Sequence, residues 1–123
     1  MQKREAAFNT YFLKWVKANF QKTAAFELKQ TKTDSIPFSA LKLHQEKALF
    51  YAKHEHLTWK IPDCGFQNVF DCFSLYRVPA YVVIKYPEKF YLIDIDSWTA
   101  ERDISMRKSL TEDRAKEICY ACG

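Results

Sequence analysis

The run Thr23-Ala24-Ala25-Phe26-Glu27-Leu28-Lys29 constrains this chain most tightly. It is short, largely apolar and free of Gly and Pro, so it reads as a strand over roughly residues 23–31. Side chains at i and i+2 of a strand share a face. Glu27 and Lys29 are therefore side by side, on an element expected to be central and buried. Two unlike charges in a core are costly unless they pair or bind something. A hard divalent cation would accept the carboxylate, and the ammonium would hold a water or phosphate beside it.

The rest of the chain reads as one domain over residues 1–123. Hydrophobic residues make up 48% of it, enough for a core, and two glycines and four prolines argue against low complexity. No apolar run approaches the roughly 20 residues that span a bilayer, so no membrane and a cytosolic location are expected. Net charge is only +4, but Lys3, Arg4, Lys14, Lys17, Lys22, Lys29 and Lys32 precede Asp34 against Glu5 and Glu27. A basic face near a metal-binding acid suits a phosphodiester substrate, whereas without that acid it reads as a solvated face. Cys119 and Cys122 have zinc-knuckle spacing, but Cys64 and Cys72 do not form a second close pair, so free thiols are expected.

Residues 2–21 carry Phe8, Phe12, Trp15, Val16 and Phe20 at helical spacing. Glu5 lies on that apolar face, or serves the helix dipole at a first turn. Pro37 ends a loop, and Ser39 is a candidate cap for a helix reaching about His54. Leu41, Ala48, Leu49 and Ala52 form its apolar face. Gln45 belongs to that face and His44 to the substrate side or surface. Strands are predicted at 70–78, 80–86 and 90–96, the last two joined by Pro87-Glu88. Asp94 and Asp96 read as the solvent side of an edge strand, with metal binding as the sharper alternative. Ser109 and Glu112 suggest a capping box opening a last helix.

The segment Phe26-Glu27-Leu28-Lys29 through Ser35-Ile36-Pro37-Phe38, the helix pair His44-Gln45, and the stretches Ala80–Tyr86 and Lys89–Ile93 together resemble the RecU-like Holliday junction resolvases of the PD-(D/E)XK nuclease superfamily, in a phage-type form. The resemblance covers about half of the chain. It implies an α/β fold: a small mixed β-sheet flanked by helices, with a restriction-endonuclease-like core. It also implies a Mg²⁺- or Mn²⁺-dependent endodeoxyribonuclease. The expected substrate is branched DNA such as a four-way junction, cut by a homodimer in the cytoplasm of a bacterial or archaeal cell, whether encoded by the cell or by a virus.

The family places an aspartate on a strand before E-x-K, and none precedes Glu27 here. A rearranged order is expected, with Asp71 supplying the acid and Asp63, beside the turn signal Gly65, as second choice. Glu27, Asp71 and the Leu28 carbonyl would then ligate the metal. Lys29 would serve the attacking water and Gln45 would fix its geometry. Glu5 would add a further metal contact, as a glutamate of the first helix does in many superfamily members. Lys3, Arg4, Lys22, Lys32 and His44 would face the DNA. Three rivals stand beside this reading: a simpler structure-selective or general endonuclease, a nuclease-fold protein that only binds nucleic acid, and a small basic scaffold or inhibitor.

Overall fold

The computed structural model describes residues 3–20, 23–60 and 72–123, without the side chains of 3–6, 57–60 and 72–74. The order is α1 (Lys3–Asn19), β1 (Ala25–Gln30), β2 (Ser35–Pro37), a 3-10 turn (Phe38–Ala40), α2 (Leu43–His54), β3 (His56–Lys60), β4 (Cys72–Tyr76), β5 (Ala80–Lys85), β6 (Phe90–Asp94), α3 (Ile95–Ser105), β7 (Ser109–Thr111), α4 (Glu112–Ile118) and β8 (Ala121–Cys122). The fold is mixed α/β, as the sequence implied. Its main sheet runs β1-β5-β6-β8, with β1 parallel to β5 and the other pairs antiparallel. Two small ribbons, β2 with β7 and β3 with β4, complete the pairing.

Period-two alternation divides the core between the faces of this sheet. On one face Phe8 and Phe12 of α1 pack against Tyr81, Val83, Phe90 and Leu92, with Phe26 and Leu28 of β1 beside them. On the other, Val82, Ile84, Tyr91 and Ile93 meet Leu49 of α2 and Ile95 and Trp98 of α3. Strands β5 and β6 are covered on both faces and are almost wholly apolar. Tyr86 is fully buried, and its hydroxyl donates to Leu110 O at 2.9 Å, which ties β7 to the end of β5.

Four local expectations are corrected. β1 is not central: it is the edge strand of the sheet, and all six of its residues are only half-buried. Ser39 sits in the 3-10 turn, and α2 starts at Leu43 with Lys42 as its cap. Ser109 opens β7 rather than a helix; the Thr111 hydroxyl accepts from Arg114 N and starts α4. Asp94 and Asp96 do not line an edge strand: β6 is flanked on both sides, Asp94 caps α3, and Asp96 lies in the first turn of α3. Among the described residues no helix is long and apolar enough to cross a membrane.

Candidate functional site

Strand parity sets the direction of the two charges in β1. Phe26 packs edge-on against Phe12, with ring centroids 5.1 Å apart, which turns the even-numbered side chains of β1 towards α1. Glu27 and Lys29, opposite Val82 and Ile84, therefore project on the face that α2 covers. Their charged ends lie 3.7 Å apart, with side chains 32% and 19% exposed respectively. That separation is an ion pair without a short hydrogen bond.

Gln45 completes the group. Its Nε2 donates to Glu27 Oε1 at 3.1 Å, and its Oε1 accepts the Lys42 backbone N–H at 3.0 Å. The second bond fixes the amide: its oxygen must face the backbone donor, so its NH₂ must face the carboxylate. Gln45 stands in the first turn of α2, where the positive end of the helix dipole also favours the Glu27 charge. The Gln45 and Lys29 contacts both fall on Oε1.

The edge position adds a backbone acceptor. Ala25 N donates to Pro79 O at 2.8 Å and Thr31 N to Lys85 O at 3.0 Å. In a parallel pair, alternate residues turn their backbone groups to the neighbouring strand. Odd residues of β1 thus face β5, and Leu28 presents its carbonyl to the edge, which is open among the described residues. A cleft of about 540 Å³, lined by Phe8, Asn9 and residues 26–30, runs beside that edge.

Three expected residues therefore converge, Glu27, Lys29 and Gln45, and the Leu28 carbonyl opens beside them. Lys32 and His44 are exposed, the first after β1 and the second in the first turn of α2. Asp71, Asp63 and Lys22 lie outside the described residues, as do the side chains of Lys3, Arg4 and Glu5. The strand expected to open at Phe70 is described from Cys72. A carboxylate and a carbonyl are the hard oxygen donors that Mg²⁺ or Mn²⁺ takes, and Mg²⁺ needs only one or two carboxylates because it keeps several waters. The donor set fits such an ion. Among the described residues, no three His, Cys, Asp or Glu side chains group around one point suited to a metal.

The Asp94/Asp96 pair belongs elsewhere. Lys53 Nζ reaches both oxygens of Asp94 at 2.8 Å and Asp96 Oδ2 at 2.6 Å, and His54 Nε2 lies 2.8 Å from Asp96 Oδ2. Partial burial opposes ionisation of Asp96, but the Lys53 and His54 contacts outweigh it and hold the carboxyl below its usual range. The same burial works against the Lys53 charge, and its two aspartates still raise its pKa. Sequence reasoning missed this network; an aspartate at a strand end, followed two residues on by another, was a helix-cap signal.

A larger cleft, about 920 Å³, also lies away from Glu27, and its Arg114 pairs with Glu101 and Glu117. Cys119 and Cys122 form no disulfide, and Cys64 and the side chain of Cys72 lie outside the described residues. Neither a protein-family model nor a curated protein matches this chain.

Proposed function

We propose that the chain is a metal-dependent DNA endonuclease of the PD-(D/E)XK kind, selective for branched DNA. One observation carries the reading: Glu27, Lys29 and Gln45, drawn from a strand and a helix, meet beside an open carbonyl. On a half-exposed edge strand such a pair is cheap to hold, so what supports chemistry is that Gln45, from a second element, converges on the same carboxylate.

Glu27 and the Leu28 carbonyl would hold Mg²⁺ or Mn²⁺, with Asp71 as the further acid. When bound, the ion makes the phosphate more electrophilic and lowers the pKa of a coordinated water. Lys29 holds the attacking water and offsets charge that develops on the phosphate. Gln45 keeps the Glu27 carboxylate oriented through the bond to Oε1. The exposed Lys32 and His44 contact the DNA backbone, so recognition is mainly of shape. Two copies acting on opposite strands would resolve a four-way junction in the cytoplasm.

The test is cleavage of four-way, flap and linear duplex DNA in Mg²⁺, Mn²⁺ or EDTA. The expected result is cutting of the branched substrates that stops in EDTA. Metal-insensitive binding without cutting would replace the enzyme by a nucleic-acid-binding protein.

A further inference from the structure

The cleft beside Glu27 does not end at Gln30. A second cleft, of about 560 Å³, is lined by Ala7, Phe8, Tyr11, Gln30, Thr31, Lys32, Lys85, Tyr86 and Pro87. Phe8 and Gln30 line both, so the two adjoin along the open edge of β1. The second opens at the carboxyl ends of the parallel strands β1 and β5, where ligands of α/β sheets commonly bind.

Its chemistry is specific. Tyr11 is 55% exposed, and its ring is steadied by an edge contact with Phe90 at 5.9 Å. Among the described residues, Lys32 and Lys85 line the second cleft with no acid beside them, and Lys29 borders the first next to Glu27. Lys85 Nζ donates to Tyr86 O at 2.6 Å and Pro87 O at 2.8 Å. An ammonium has three N–H groups, so one stays for a ligand while the amine is held in place.

We infer that this groove takes a single nucleic-acid strand, its phosphates along Lys32 and Lys85 and an unpaired base laid on Tyr11. The inference deepens the nuclease reading and rests on it for the position of the scissile phosphate. From Glu27 to Thr31, β1 rises about 13 Å. Tyr11 lines the same cleft as Thr31, so the base it holds lies a few nucleotides along the strand from the cut. A duplex hides its base faces, and only an unpaired base offers one to an aromatic ring. An extended peptide pairing with the backbone of Phe26, Leu28 and Gln30 would also fit an open edge. It has no use for the ammonium groups of Lys32 and Lys85, and the positive charge of the cleft favours the polyanion.

Fluorescence anisotropy with labelled oligo-dT, on the full chain in EDTA, tests the groove without requiring cleavage. Tyr11→Ala is expected to weaken binding about tenfold and Tyr11→Phe to leave it within about twofold. Lys32→Ala should flatten the plot of log K against log salt by about 0.7. Blunt duplex should bind with no dependence on Tyr11. Unchanged oligo-dT affinity in Tyr11→Ala, an equal effect of that change on duplex, or salt-independent binding that an extended peptide displaces would each overturn the inference.

Cleavage of a flap substrate in Mg²⁺ is read in parallel. Tyr11-dependent binding without metal-dependent cutting would retain the groove and reject the enzyme. Cutting by a Tyr11→Ala variant with intact oligo-dT affinity would do the reverse.

Discussion

Gln45 Nε2 donates to Glu27 Oε1 across 3.1 Å, while the other end of the same amide caps the helix at Lys42. One side chain thus starts α2 and orients the acid. Gln45→Ala should lose about 1 kcal/mol of stability through the cap. If Gln45 also holds the catalytic carboxylate, single-turnover cleavage falls about tenfold in addition. Thermal unfolding and cleavage rates separate the two roles, and a stability loss with an unchanged rate leaves Gln45 as a cap only.

Glu27→Gln keeps the side-chain shape and removes the charge. Cleavage should fall below detection, and Asp71→Asn should do the same. The Glu27 side chain is about one third exposed and its ion pair with Lys29 is long, so the stability change should stay under about 1 kcal/mol. Circular dichroism with a cleavage assay checks both, and cutting at the wild-type rate by either variant removes that residue from the centre.

Lys29→Ala separates chemistry from binding. As a group acting on the attacking water, Lys29 should contribute about 10²-fold or more to kcat. DNA affinity in Ca²⁺ should change less than about threefold. Equal losses in kcat and affinity would mean that the amine only binds phosphate.

Asp96 gives a pH dependence. Lys53 and His54 hold its folded pKa below the unfolded value of about 3.9. A lowered carboxyl pKa stabilises the fold above the unfolded value, and that contribution disappears as pH falls through the folded one. Urea unfolding should therefore show Asp96→Asn less stable than wild type at pH 7, with the gap closing below about pH 4.

Tyr86→Phe removes the hydroxyl that bonds the Leu110 carbonyl inside the core. An unpaired buried acceptor costs about 1–3 kcal/mol. Chemical denaturation should report a loss in that range.

The alternation of Phe26 and Leu28 with Glu27 and Lys29 made the faces of β1 legible in the sequence, because period two is local. Helical spacing likewise placed Gln45 on the side of α2 that meets β1, although Leu41, counted on the same face, precedes the helix. The position of β1 at the edge was not legible: it depends on the Ala25–Ala80 pairing, between residues remote in the chain. Asp94 and Asp96 were misplaced because β6 runs into α3 with no intervening loop, so their alternation resembled a continuing strand. At Ser109, the hydroxyl of Thr111 competed for the same cap, and pairing with β2 decided in its favour.

β5 and β6 close on each other through a tight turn, with Tyr86 N bonded to Lys89 O at 2.8 Å. β1 reaches β5 only after the long stretch from Gln30 to Ala80 has looped back. Such non-local pairing is slow to form, and a half-covered outer strand is cheap to open again. The amides of β1 should exchange with deuterium well before those of β5, so Glu27 and Lys29 sit on the piece of the sheet that folding adds last and fluctuation releases first.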